Sequence, residues 1–360
     1  MFKVNLYGYT SNPSILILYN PIIGLIERML IVSAKYGVKP ENVEIEFSRE
    51  YIKALLDEYS RLGILSFKDQ YYYSNIPIIE EEEYYTIVSS LKEVSDRIVE
   101  YVKRHSVDLH RGVKRAGLEA RGYTWDDIKE IIILGLLMDK YFYRVLHETG
   151  ILPPPPKRPD GGFWYMWITI VRKPLKYEYS VYEYSSIIGG SATLKFEHLT
   201  PTRYLILQDY ALLMAALISI GYKSLDQLSY ILRVDRDQIL KVIDEWRRLC
   251  LLELEEDKVK KLNFLALIPK DIDTLVRCVY RLSSEIVSSI IVKYRSNILK
   301  LKYDLKIPCE EGSFLALAFH TIKCIVAEEL YREGVVSIPE KPPVSWGLWC
   351  WVTTMPPSIA

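Results

Sequence analysis

At 360 residues and 49% hydrophobic content, the chain has material for two or three well-packed domains and is too apolar to be disordered over most of its length. Its 46 lysines and arginines are balanced by 46 aspartates and glutamates, so no global field draws it to nucleic acid or an anionic membrane. Any nucleic-acid contact must therefore come from a local patch. Met1 to Tyr9 lack the basic start and apolar core of a secretory signal, which predicts a cytoplasmic protein. The five cysteines are odd in number and widely spaced, which argues against a disulfide framework. The 28 tyrosines, with abundant Ile, Lys and Glu, give a composition of the thermophile kind.

In chain order, apolar residues at helical spacing predict a first helix over Pro21 to Tyr36. After a short alternating stretch, Val43 to Phe47, a stronger helix runs from Arg49 to Leu62. Gly63 stops it, and Ile64 to Tyr73 reads as a hairpin turning near Lys68 and Asp69. The acids Glu80 to Glu83 open a helical region that reaches about Gly150, broken near Gly122 and Thr124. Pro153 to Pro156 forbids helix, and Phe163 to Phe196 alternates aromatic, branched and charged residues in a strand-favouring way. Asp271 to Leu301 and Ser313 to Arg332 return to helical periods.

Between Arg203 and Pro269 the pattern is that of a winged helix. Tyr204 to Gly221, the most apolar long segment, is interrupted by Gln208 and Asp209 and reads as its first helix rather than as a membrane span. Ser224 with Gln227, and Asp235 with Gln238, are two capping boxes that open consecutive helices across a tight turn. Ile239, Val242, Ile243, Trp246 and Leu249 form one apolar face of the third helix, and Leu251 to Leu265 supplies a wing. Arg49 to Leu65 aligns with Arg236 to Leu252 at seven identities in seventeen positions. A second, shortened winged-helix-like unit at the N-terminus would give this match; two unrelated amphipathic helices followed by strands would also give part of it.

The expected fold is mainly α (α+β) in five consecutive regions. These are a winged-helix-like region (1–78), a helical connector (79–150), an aromatic β-rich segment (151–198), a winged helix (199–268) and a C-terminal helical bundle with an aromatic tail (269–360).

Three groups of residues are candidates for nucleic acid. The densest basic segment holds Lys103, Arg104, Arg111, Lys114, Arg115 and Arg121 with His105 and His110, opposed only by Asp108 and Glu119; on a helix several of these cations converge on one side. The alternative is a solvated face paired with the acids Glu80 to Glu83. A second group sets Lys157, Arg158, Arg172, Lys173 and Lys176 among Trp164, Tyr165, Trp167, Tyr177 and Tyr179, a pattern that suits stacked bases or a small aromatic core. The third is Arg236, Gln238 and Lys241 on the third helix of the winged unit. There, four acids face four bases from Asp235 to Leu249 and blunt phosphate attraction.

Trp346, Trp349 and Trp351 are candidates for docking on a partner. The sequence contains no phosphate-binding glycine loop, dinucleotide fingerprint or paired-cysteine metal motif, so neither a cofactor nor a metal is expected. His320 and Cys324 share a helix face, but a structural zinc site needs four ligands and the remaining Cys and His are scattered. No nucleophile or carboxylate pair is fixed beside His105 and His110, and the chain reads as a non-enzyme.

The segment Leu6-Tyr7-Gly8-Tyr9 followed by Asn12-Pro13 and an apolar helix, the overall length, the late winged-helix unit and the helical C-terminal region together resemble the large subunit of the archaeal type I-A CRISPR surveillance complex (Cascade). That resemblance implies a non-catalytic subunit that works with CRISPR RNA-bound backbone proteins and helps recognise target DNA beside the protospacer. The acidic third helix departs from what duplex reading would need, and shifts that role toward the basic segment. A free-standing winged-helix transcription regulator and a purely structural interaction protein are the competing readings.

Overall fold

The computed structural model of the protein describes residues 3–10, 24–43, 47–159, 162–177, 182–188, 192–198, 209–255, 258–339 and 346–352. In chain order the elements are β1 (Lys3–Thr10), α1 (Gly24–Ser33), α2 (Arg49–Arg61), β2 (Leu65–Lys68), β3 (Tyr71–Ser74), β4 (Ile78–Glu80) and the long α3 (Glu81–Arg115). There follow α4 (Trp125–Glu130), which continues through a π-helical stretch (Ile131–Tyr141) into α5 (Phe142–Glu148), and then β5 (Trp164–Val171), β6 (Tyr182–Ile188) and β7 (Ala192–His198). The rest comprises α6 (Asp209–Ser219), α7 (Leu225–Leu232), α8 (Arg236–Arg248), β8 (Leu252–Glu255), β9 (Lys258–Leu262) and β10 (Leu265–Leu267). It ends with α9 (Pro269–Ile286), α10 (Val292–Asp304), α11 (Glu311–Arg332) and β11 (Leu348–Val352). The protein is mostly helical with small sheets, an α+β chain of mainly α content. No helix among the described residues is long and apolar enough to cross a membrane.

The chain divides into two compact units, each assembled from three separated stretches: 1–97, 146–176 and 289–326 in one, and 98–145, 177–288 and 327–360 in the other. Pro153 to Pro156 therefore lies inside the first unit. The aromatic stretch after it is split, because β5 joins β1 and β4 in one sheet whereas β6 and β7 join β11 and β10 in another.

The seventeen-residue match is the visible part of a much longer repetition. α2 and α8 are each 13 residues long and begin and end at positions 187 apart. Both helices close on the same backbone bonds, Leu62 N–H to the Glu58 carbonyl and Leu249 N–H to the Glu245 carbonyl, then Ile64 to Tyr59 and Leu251 to Trp246. The second residue after each helix has a left-handed backbone, Gly63 at φ 78 and Cys250 at φ 55. In each copy an asparagine beyond the hairpin ties back to that residue's carbonyl at 3.1 Å, Asn75 to Gly63 and Asn263 to Cys250. The asparagines are 188 apart rather than 187 because a bulge adds one residue to the β8–β9 hairpin.

The repetition continues in the sheets. β4 pairs in parallel with β5, which pairs antiparallel with β1; β10 pairs in parallel with β11, which pairs antiparallel with β7. In each copy a helix of about 35 residues (α3; α9 with α10 and the π-helical turn between them) and then a second helix (α4 to α5; α11) connect the paired strands. The helical part of the first copy, 98–145, belongs to the second unit, and the helical part of the second copy, 289–326, belongs to the first.

Local chemistry accounts for the helix starts. Ser224 and Gln227 form the expected capping box, and Arg233 ends α7 in a left-handed turn at φ 52. Asp235 departs from expectation: its carboxylate accepts the Asp237 N–H at 2.7 Å, and Gln238 is not part of a box. Behind α8, Ile239, Val242, Ile243 and Trp246 are buried against Met214 to Ile218, Leu225, Leu228 and Phe264. In the first unit Ile52, Leu56 and Tyr59 of α2 pack with Leu30, Ile31, Tyr72, Trp164 and Met166.

Candidate nucleic-acid interface

In the second unit the C-terminal part of α3 packs against α9. The contacts fix their direction: Tyr101 hydrogen-bonds Glu285, the Cys278 thiol reaches the Asp108 carbonyl at 3.6 Å, and Gly112 faces Cys278 and Leu275. Rising numbers on one helix meet falling numbers on the other, so the pair is antiparallel. The helices touch there, since a Cβ on Gly112 would stand 3.4 Å from both Cβ and Sγ of Cys278, an ordinary van der Waals contact.

Beside this crossing lies a cleft of about 520 Å³ lined by four arginines, Arg111 and Arg115 from α3 and Arg277 and Arg281 from α9, with only Asp108 and Asp273 as acids. All four arginines are exposed. Arg281 is held by Glu285 at 2.8 Å and Arg111 approaches Asp108 at 3.5 Å. Neither Arg115 nor Arg277 has a carboxylate within ion-pair distance among the described residues. Asp108 also accepts from His105 Nδ1 at 2.9 Å; the hydrogen bond from His105 and the nearby Arg111 and Arg281 hold its carboxyl below the usual aspartate range, so it stays ionised. Burial pushes the Cys278 thiol up, which leaves it neutral and unreactive at neutral pH. The cleft thus offers a surplus of guanidinium groups, the chemistry that recognises phosphate by paired N–H donors.

Of the residues predicted from sequence, Arg111 and Arg115 line this cleft. Arg104 is exposed, Lys114 stands 3.9 Å from Glu119, and Lys103 is bound by Glu100 at 3.0 Å and Glu333 at 2.5 Å. The acids at the start of α3 do not neutralise this segment, because Glu80 and Glu83 hold Lys35 and Glu81 holds Arg172. Arg121 must be withdrawn as a phosphate contact. Its guanidinium is turned inward to the buried Asp271 at 2.5 Å and is committed to the fold.

Arg158 is withdrawn for a similar reason. It pairs with Glu310 at 3.2 Å and lies over the buried ring of Trp164. Trp164, Tyr165 and Trp167 are core residues of the first unit and Tyr177 is buried in the second, so these rings are not a platform for bases; Tyr179 lies outside the described residues. Lys157 remains exposed. On α8, Arg236, Gln238 and Lys241 are exposed, with Arg236 3.2 Å from Asp226. Trp349 and Trp351 are buried in β11, which removes them as a docking surface; Trp346 is half-buried. His320 and Cys324 are buried 3.6 Å apart, and no group of three metal-ligating side chains occurs among the described residues.

Sequence reasoning missed Asp273, Arg277 and Arg281. Their signal was present as an acid and two arginines at steps of four on one helix face. Local charge density hid it, because this stretch is no more basic than its neighbours and becomes a site only when α3 is laid against it. No family model, curated protein or solved structure matches the chain.

Proposed function

We propose that the protein is a non-catalytic, nucleic-acid-associated subunit of a cytoplasmic nucleoprotein complex, and that the cleft between α3 and α9 grips a nucleic-acid backbone. The single observation behind this reading is the convergence of four arginines from two packed helices on one cleft, two of them without a carboxylate partner among the described residues. Phosphate contacts of this kind position a protein on nucleic acid without reading sequence.

We assign α6 to β9 as a winged helix and α1 to β3 as its shortened counterpart, on the strength of three helices followed by a hairpin in one and the shared helix-to-hairpin geometry in the other. The resemblance to the large subunit of the type I-A CRISPR surveillance complex supplies the class of assembly. In that assembly the partners are CRISPR RNA, target DNA and the other subunits, and the role is target recognition in antiviral defence. The exposed Arg236, Gln238 and Lys241 favour one rival, a winged-helix transcription regulator, which as an isolated dimer would enrich one duplex sequence from a random pool.

The test is the salt dependence of binding. Arg111→Glu with Arg115→Glu in the full chain is expected to weaken binding of a labelled oligonucleotide by more than about tenfold, and to reduce the slope of log affinity against log salt by roughly 0.7–0.9 for each phosphate that is no longer neutralised. Affinity and slope equal to those of the unmodified protein would remove the cleft as the site and favour a purely structural role.

A further inference from the structure

We infer that the cleft takes the backbone of one strand, through two consecutive phosphodiesters, and does not take a duplex. This rests on the cleft being the nucleic-acid site. α3 and α9 present the same pattern to it, an acid followed by two arginines at one-turn steps: Asp108, Arg111 and Arg115 on one helix, Asp273, Arg277 and Arg281 on the other. Arginines four residues apart stand roughly 6 Å apart along a helix. That rise is comparable to the step between neighbouring phosphates of an extended strand.

Their carboxylate partners sort the four arginines into two unequal pairs. Arg111 and Arg281 share the end that holds Asp108, and their charge is partly met by Asp108 and Glu285. Arg115 and Arg277 line the same cleft with no carboxylate at ion-pair distance among the described residues. This second pair binds the more strongly, because its guanidinium groups need not give up an existing partner to take a phosphate.

Shape selects against a duplex. A duplex, wide enough to carry a major groove of about 12 Å, is a stiff convex rod that meets only the rim of such a cleft. A volume of about 520 Å³ is that of an ordinary small-ligand pocket, roughly 300–1,000 Å³, and takes up only a short piece of strand.

The experiment is fluorescence anisotropy on the full chain with a short labelled oligothymidylate, its duplex with oligoadenylate, and pyrophosphate as competitor. The strand is expected to bind roughly tenfold or more tightly than the duplex at one salt concentration. Arg277→Gln should weaken strand binding more than Arg111→Gln does, and pyrophosphate should displace the strand only in large excess. All substituted side chains are exposed, and unchanged thermal unfolding of each variant verifies that the fold is intact. Equal binding of duplex and strand, both weakened by Arg277→Gln, overturns the single-strand inference and leaves the nucleic-acid reading standing. Displacement by stoichiometric pyrophosphate assigns the arginines to a small polyanion and overturns it too. If neither probe responds to Arg277→Gln, the inference and the reading beneath it both fall.

Discussion

Arg121→Ala is expected to destabilise the protein by about 3–5 kcal/mol, because it strips a buried carboxylate of its guanidinium partner. Asp271 is 1% exposed; its carboxylate meets Arg121 and also accepts the Ile268 N–H at 2.9 Å at the start of α9. Arg121 in turn donates to Ser219 and to the Ala266 carbonyl, so one side chain ties α9, α6 and β10 together. Burial raises the Asp271 carboxyl above the usual aspartate range even with Arg121 present. A raised folded pKa favours the folded state at low pH, and that advantage is lost as pH rises through it. Without Arg121 the carboxyl rises further, so the deficit relative to the unmodified protein is largest at neutral pH and shrinks as the buffer is made acid. Urea unfolding of both proteins at neutral and mildly acid pH measures this. A deficit under about 1 kcal/mol, the size of an ordinary surface change, or one that does not vary with pH, contradicts it.

Trp349→Ala is expected to cost a similar amount, about 3–5 kcal/mol, for a different reason. The indole is fully buried, and the middle of the first copy's second helix is shaped around it: a Cβ on Gly135 would stand 2.6 Å from the ring. The alanine variant leaves a cavity that a π-helical stretch bonded through its own backbone cannot collapse into. Gly135→Ala approaches the same contact from the other side and should cost about 1–3 kcal/mol through overpacking. Trp349→Phe should be much milder than Trp349→Ala, since the indole N–H has no hydrogen-bond partner among the described residues. Unfolding midpoints for the three variants are the measurement, and a Trp349→Ala protein as stable as the phenylalanine variant would refute this packing.

Those two residues also mark where the sequence was legible and where it was not. Helices with a clean apolar face and a chemical start signal were readable, as with Ser224 and Gln227 before α7 and the face Ile239, Val242, Ile243 and Trp246 of α8. The turn after Lys68 was readable too, and Asp69 and Gln70 adopt the positive φ it needs. Arg121 looked like one more cation in a basic run because its partner lies 150 residues away. Trp349 and Trp351 looked like a sticky tail because the strands and the glycine that cover them are equally remote. The repeat was visible only over seventeen residues for a related reason. Helix ends, a left-handed residue and a returning asparagine constrain the chain locally, whereas the long helices share length and order but not their residues. A position 188 residues on from Arg111 is Leu299, and one 188 back from Arg277 is Ser89, so the arginine cleft has no counterpart in the repeat.

Hydrogen–deuterium exchange of the full chain with and without a saturating single-stranded oligonucleotide probes the grip itself. Protection should concentrate in the α3 peptide that spans Asp108 to Arg115 and the α9 peptide that spans Asp273 to Arg281, and should fade as salt is raised. Protection confined to α8 and the β8–β9 hairpin, or none anywhere, would contradict a backbone grip between these two helices.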